Sequence, residues 1–405
     1  MRIALIPTYR PLVLGGRGIL AAFGALSVIL SLFLFSLLLP PAMAQGTMVF
    51  GVDQDAASPL TPAEGYEVSL LARGLPAARL LALTPRGDVL VSQGRTGMVS
   101  LLPLGDKNST GSVADKSPPA LVRPQVLLSG LDHPHGLALV EGWLYIAEER
   151  VVSRYRFDAK ARRISGKREV VLRGMPGGGH STRTIRLGPD GWFYVSVGSS
   201  CNVCIERHPW RAALLKFKPG QKPQIYATGL RNTVGYDWHP VTGALYGVDN
   251  GRDWLGDELP PGEVNLIRQG GFYGWPFFYG TNVRDQQFRG RYDETVHGAP
   301  QAPIHEMKAH VAPLSLRFLP LSAPGNPVSA LITQHGSWNR STKIGYKVVQ
   351  LSWDASGAVT QKDFLTGFLH GKTVFGRPVD TLPLPGERVL ISDDRRGVIW
   401  LMRQK

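Results

Sequence analysis

Two short segments combine a reactive side chain with glycine: GGGHSTRTIRL, which presents His180, and GLRNTVGYDW, which presents Arg231 and Asn232. Imidazole titrates near neutrality, and Gly177, Gly178 and Gly179 allow the backbone to approach a ligand closely, so His180 suits a general base. The alternative is an exposed histidine in a turn. The guanidinium of Arg231 suits the oxygens of a carboxylate-bearing cofactor or of a developing alkoxide, and its alternative is a surface ion pair with Asp237. The loop VDNGRDWLGDELPPGEV gathers Asp249, Asp253, Asp257, Glu258 and Glu263 with Gly251 and Gly256. Such an oxygen-rich loop suits calcium, although its spacing is not that of an EF-hand, and a solvated acidic loop is the competing reading. Phe272, Tyr273, Trp275, Phe277, Phe278 and Tyr279 could wall a flat cofactor or a sugar ring, or simply pack a turn. His335, Ser337, Trp338, Asn339 and Arg340 read as a site element on a loop, whereas Asp393, Asp394, Arg395 and Arg396 read as a solvated turn.

These groups are far apart in sequence, so the fold must bring them together. The chain repeats one pattern six times: a short apolar strand, a turn of Pro, Asp and Gly, then a strand of aromatic and β-branched residues. The second strands read GDVLVSQ from Gly87, GWLYIAEE from Gly142, GWFYVSVG from Gly191, GALYGVDNG from Gly243, SALITQHG from Ser329 and ERVLISDD from Glu387. They lie about fifty to sixty residues apart, a blade-like period, with one wider gap holding residues 251–327. Alternation of apolar with small or polar residues predicts half-buried antiparallel strands, and no amphipathic helix interrupts them. The pattern predicts an all-β chain, a six-bladed β-propeller of four-stranded antiparallel blades over residues 66–405, with YEVSLL from Tyr66 pairing with the last blade to close the ring. The residues leading into each axial strand then sit at the mouth of the channel. Here they are His133 and His135, His180, Arg231 and Asn232, and Arg377.

The first 44 residues carry Arg2, Arg10 and Arg17, no acidic residue, an apolar run from Ile19 to Leu39 and then Ala42-Met43-Ala44. This is the pattern of a secretory signal over residues 1–44, followed by a linker over residues 45–65. An uncleaved anchor is the rival reading, since the run is long enough to span a bilayer. Either way the remainder is exported, to the periplasm or beyond, with no stable membrane span once the signal is cut. The net charge of +14 comes from scattered Lys and Arg, which together with export argues against nucleic acid as a partner. Cys201 and Cys204 in GSSCNVC lack the following His of a haem site and a second pair for zinc, so a local disulfide is expected in an oxidising compartment.

In order along the chain, HPHGLAL, GHSTRTIRLGPDG, GLRNTVGYDWHP, the DNG loop with EVNLI and GGFYGWP, HGSWNRS and GRPVD resemble the glucose/sorbosone dehydrogenase family. The SSCNVC and HGSWNRS forms are similar to its sorbosone-type branch. The likeness covers the exported chain. It implies oxidation of an aldose or aldehyde sugar with pyrroloquinoline quinone and calcium, the quinone lying over the axial mouth, and an electron acceptor such as a cytochrome or a quinone. By motif it implies that His180 takes the sugar hydroxyl proton while hydride passes to the quinone. It further implies that Arg231 and Asn232 contact the cofactor, that Arg231 stabilises its reduced form, and that the carbonyls of Gly251 and Arg252 hold calcium. His135, Arg340 and Arg377 are implied as further cofactor contacts. The chain departs from the glucose type at His135, where that type has Gln, at Arg252, where it has Pro, and at Val379, where it has a second Arg. A calcium-dependent lactonase on a similar propeller and a non-enzymatic ligand-binding propeller are the readings kept beside it.

Overall fold

Hairpin chemistry drives the architecture of the computed structural model, which describes residues 58–105, 121–321, 327–354 and 356–405. The expected signal over residues 1–44 lies outside the described residues, as does most of the linker. In the first hairpin, TPRGD turns with Gly87 at φ +88°, and the Thr84 amide donates to the Asp88 carbonyl at 2.8 Å. The equivalent turns GPDGW and HPVTG close in the same way, Gly188 to Trp192 and His239 to Ala244. All six second strands lie where the repeat placed them: Val89–Gln93, Trp143–Ala147, Phe193–Val197, Leu245–Asp249, Val328–Gln334 and Arg388–Asp393.

Each belongs to one antiparallel blade, and there are six blades. The last blade is built from both ends of the described chain, because Tyr66–Arg73 pairs antiparallel with Val398–Gln404, Tyr66 opposite Gln404. Thr61–Pro62 adds a fifth strand to the preceding blade, beside Val359–Thr366. The wide gap is an excursion within the fourth blade. Its outer strand His305–Met307 pairs with Gly262–Ile267 only after a short hairpin, Phe278–Tyr279 with Val283–Arg284, and a single helical turn, Glu294–His297. Among the described residues no helix is long and apolar enough to cross a membrane.

The core is divided among the clefts between blades. Successive residues of one strand face opposite clefts: Val89 and Val91 pack with Leu382, Leu390 and Leu401 of the last blade, while Leu90 packs with Leu144 and Ile146 of the second. Phe193 and Val195 likewise face Tyr145 and Ala147, and Tyr194 faces Tyr236 and Leu245. The second strands are therefore buried on both faces rather than one. Half-burial was the expectation from alternation, and the difference arises because every blade is sandwiched between two others.

The six first strands pack around the axis. Gly235 is required there, since a Cβ would meet Ser315 and Leu316 backbone atoms at 2.4 Å. Leu80, Leu137, Ile185, Val234, Ser315 and Asp380, one from each blade, surround a residual axial space of about 10 Å³. The Arg317 guanidinium lines this space, donating to Asp380 at 2.8 Å and to the Leu81 carbonyl at 3.1 Å. So small an axial space leaves no room for a sugar or a cofactor between the first strands, and a ligand of that size would meet the propeller at its mouth.

Candidate active site

Two cavities share that mouth. One, of about 230 Å³, is lined by His180, Arg231, Asn232, Asn250, Gly251, Asp253, His310 and Trp338 among others. The second, of about 260 Å³, is lined by Arg79, Arg95, His133, His135, Ser181, Thr182 and Asp394 among others. The segment carrying His180, Ser181 and Thr182 divides them.

His180 is held by a buried cation. The fully buried Arg183 guanidinium donates to the carbonyls of His180 and Pro176, both at 2.6 Å, and of Thr182 at 2.8 Å, so the loop wraps around it. Arg211 donates to Gly198 O at 3.1 Å and to Gly177 O. Behind the imidazole stands Gly198, where a Cβ would meet His180 Cβ at 2.6 Å and Asn232 Oδ1 at 2.8 Å. Only glycine lets these two side chains approach so closely.

The hydrogen bonds fix the tautomer. Nδ1 of His180 lies 3.1 Å from the Ser199 carbonyl and 2.9 Å from Ser199 Oγ. Ser199 Oγ commits its own proton to the Cys201 carbonyl at 2.7 Å, so toward the imidazole it is an acceptor. Both partners then require Nδ1–H, which leaves Nε2 with a free lone pair. Burial, and next the positive charge of Arg231, hold the pKa down at about 4. His180 is thus a neutral base at pH 7.

Arg231 is 5% exposed and almost fully occupied by protein acceptors. Nε donates to Asn202 O at 2.8 Å, Nη1 to Asn250 O at 3.1 Å and Nη2 to Asn202 Oδ1 at 3.0 Å, with Asp253 at 3.6 Å. Asp237 pairs instead with Arg186 at 3.5 Å, so the surface pair considered for Arg231 is not formed. The backbone amides of Arg231 and Asn232 donate to the Asp249 carboxylate at 2.9 and 2.7 Å. The Asn232 carboxamide makes no side-chain hydrogen bond among the described residues and remains available to a ligand.

The acidic loop is only partly solvated. Asp249 and Glu263 are buried opposite one another on adjacent strands. Burial raises Asp249 to about 6; burial first and then the Asp249 charge raise Glu263 to about 8. Asp257 and Glu258 face outward and tether Arg340. Gly251 and Arg252, the expected metal carbonyls, accept no hydrogen bond among the described residues, and Gly251 lines the first cavity beside Asp253. The Arg252 side chain turns away to Asp285 at 2.6 Å. Backbone oxygens left without protein donors, next to a carboxylate, fit a hard cation.

The remaining expected residues are dispersed. His135 is buried in the floor of the second cavity, its Nε2 3.3 Å from Arg79 Nη2. Arg79 Nη1 meets Asp394 at 3.0 Å, and Asp394 meets His335 Nε2 at 2.9 Å. Arg377 donates to His335 O at 3.0 Å and Gly336 O at 2.8 Å. Neither Arg340 nor Arg377 lines either cavity. The solvated turn expected at residues 393–396 is incorrect for its acids. Asp393 is fully buried, accepting from the Arg377 amide at 3.0 Å, and Asp394 is the centre of the network just described. Val379 packs with Val234 and Leu314, at an apolar position in the inner ring. Of the expected aromatic wall, Phe272 and Phe277 are buried with Phe288 and pack the excursion of the fourth blade, whereas Tyr273, Trp275, Phe278 and Tyr279 line a small space of about 20 Å³ together with Arg231, Gly251 and Arg252. The rim aromatics are Trp254 and Trp338, 67% and 68% exposed and edge to face at 5.6 Å. Asp253, one of the acids expected from the calcium-like loop, does line the first cavity, whereas Ser199, Asn202 and His310 carry no local sequence signal of a site.

Comparison with known proteins supplies a context for this geometry. A family model described as TrAA12-like matches residues 60–264 and 276–374, and one described as Glucose / Sorbosone dehydrogenase matches residues 214–322. An uncharacterised protein of Borreliella burgdorferi is 37% identical over 228 residues, 55% of this chain and 60% of that protein. The pyrroloquinoline quinone-dependent pyranose dehydrogenase of Coprinopsis cinerea is 24% identical over 84% of this chain and 54% of its own length. The chain thus spans little more than half the length of these two relatives. The pyrroloquinoline quinone-dependent sugar dehydrogenase of Hypocrea jecorina is 25% identical over 93% of this chain and 96% of its own. Among solved structures, the Trichoderma reesei carbohydrate-active enzyme of family AA12 superposes with a TM-score of 0.73 at 23% identity, covering 85% of this chain and 98% of that one. That likeness establishes a shared fold.

Proposed function

The chain belongs to the TrAA12-like and glucose/sorbosone dehydrogenase families, and from that membership we propose that it is an exported dehydrogenase that oxidises an aldose or aldehyde sugar with pyrroloquinoline quinone and calcium. The observation that carries the reading is the fixed tautomer of His180: a neutral imidazole, with Nδ1 committed and Nε2 free, lining the same cavity as Arg231.

The residues present suit both groups. Asn232, with its uncommitted carboxamide, the fixed charge of Arg231 and the exposed face of Trp338 would hold a flat anionic quinone. The carbonyls of Gly251 and Arg252 would hold calcium. Bound there, the quinone supplies a two-electron acceptor and calcium a Lewis acid. The chain's own part is proton removal and orientation. Nε2 of His180 takes the proton of the sugar hydroxyl as the carbon beside it gives up a hydride, and Nδ1–H stays on Ser199 throughout. Arg231 steadies negative charge at the reacting oxygens. His135, Arg340 and Arg377 are proposed as outer cofactor contacts, the two arginines after leaving their present protein partners.

Purified protein is titrated with the quinone and calcium, then given a panel of aldoses with an artificial electron acceptor. Saturable quinone binding and sugar-dependent acceptor reduction are expected. Lactone hydrolysis without acceptor reduction would instead favour the metal-dependent hydrolase reading, and binding without turnover the non-enzymatic one.

A further inference from the structure

The disulfide between Cys201 and Cys204 closes a loop that touches both residues of the proposed chemistry. The Cys201 carbonyl receives the Ser199 hydroxyl proton at 2.7 Å, and this obliges Ser199 Oγ to accept from His180. One residue further on, Asn202 receives Arg231 twice, at its carbonyl and at Oδ1. The same Asn202 side chain bridges to the loop that carries Gly251. Its Oδ1 accepts from the Asp253 amide at 2.7 Å and its Nδ2 donates to the Asp253 carbonyl at 3.1 Å. Ser199 also donates its amide to the Arg231 carbonyl at 2.8 Å. The far side of the segment is tied down as Glu206 accepts from the Ser200 amide and hydroxyl at 2.5 and 2.8 Å.

We infer that the Cys201–Cys204 loop is the element that positions the reaction site, with Ser199 a positioning residue for His180 and Asn202 a positioning residue for Arg231 and the Gly251 loop. This rests on the function proposed above for those two residues. A four-residue loop left open would let the Cys201 carbonyl and the Asn202 side chain rotate independently. Closed, it holds the Cys201 carbonyl against the hydroxyl of Ser199, which meets His180 from 19 residues away, and holds the Asn202 side chain against Arg231 from 29 residues away. Preorganised acceptors of this kind keep a base in one tautomer and a cation in one place without reorganisation during the reaction.

The test separates positioning from simple stapling. Nitrogen-15 NMR of the histidine side chains in the ligand-free protein reads the His180 tautomer without any turnover, with His180→Gln assigning the signal. The unaltered protein is expected to show Nδ1 protonated. In Ser199→Ala that preference weakens, and in the loaded enzyme kcat falls about tenfold with KM little changed. Asn202→Ala weakens quinone affinity about tenfold or more, and Asn202→Asp, which keeps both acceptor contacts of Oδ1, restores most of it. The double variant Cys201→Ser with Cys204→Ser shows both effects together. If that variant and Ser199→Ala leave the tautomer unchanged, and Asn202→Ala binds quinone as tightly as the unaltered protein, the loop is a structural clip only and the inference is overturned. The two side-chain variants leave the disulfide intact, so they decide the matter even where the double variant does not fold. Should the unaltered protein neither bind quinone nor oxidise sugar, the proposed function fails, while the tautomer measurement still judges the positioning of His180.

Discussion

Acid inactivation at His180 can be worked through from the site. An unperturbed imidazole has a pKa of 6.5, whereas burial and then the Arg231 charge hold this one at about 4. The difference amounts to roughly 3 kcal/mol in favour of the neutral form. At pH 5 about nine-tenths of such a group is neutral, against about 3% of an ordinary histidine. Because the neutral form is the base, activity is present above the pKa and lost as pH falls through it. The kcat/KM of the loaded enzyme is therefore expected to change little on this account between pH 7 and 5 and to fall about tenfold per pH unit well below pH 4. NMR titration of His180 in the ligand-free protein checks the same value independently of turnover. Arg231→Gln removes the second cause, so the His180 pKa should rise yet stay below 6.5, burial being retained. A His180 titration centred at or above 6.5 in the unaltered protein would refute the reasoning.

Two other substitutions probe the surroundings of the site. Gly198→Ala inserts a methyl 2.6 Å from His180 Cβ and is expected to lower kcat about a hundredfold through displacement of the base; a far-ultraviolet circular dichroism spectrum like that of the unaltered protein confirms that the propeller persists. Asp394→Asn leaves Arg79, only 15% exposed, without its carboxylate, which should cost about 3–5 kcal/mol in urea unfolding, and a loss below about 1 kcal/mol would show that the network contributes little to stability.

Blade order was legible because hairpin turns carry their own chemistry. TPRGD, GPDGW and HPVTG announce a reversal whatever surrounds them, and β-branched and aromatic runs follow each. What alternation could not show is that strands such as Val89–Gln93 are covered on both faces, since the second cover comes from a neighbouring blade. His180, Arg231, Asn232 and Gly251 were visible through reactive types beside glycine, and the structure gathers all four around one cavity. Ser199 and Asn202 were hidden because they act as hydrogen-bond acceptors for distant residues, a role that leaves no local pattern. The pair Asp393-Asp394 misled for a related reason. Acids followed by two arginines resemble a solvated turn, but ring closure brings Arg79 from 315 residues away onto Asp394.

On the function proposed above, removal of the sugar proton by His180 takes place at a quinone site that His180 does not itself build. Its most direct test is one experiment on the loaded protein and on His180→Ala: mix each with an excess of aldose in the absence of an electron acceptor and follow the absorbance of the bound cofactor. Both proteins should bind the quinone with similar affinity, and the unaltered protein should reduce it within one turnover while His180→Ala does so at least a thousandfold more slowly, roughly the loss expected when a general base is removed. Equal rates in the two proteins would show that His180 is not the base.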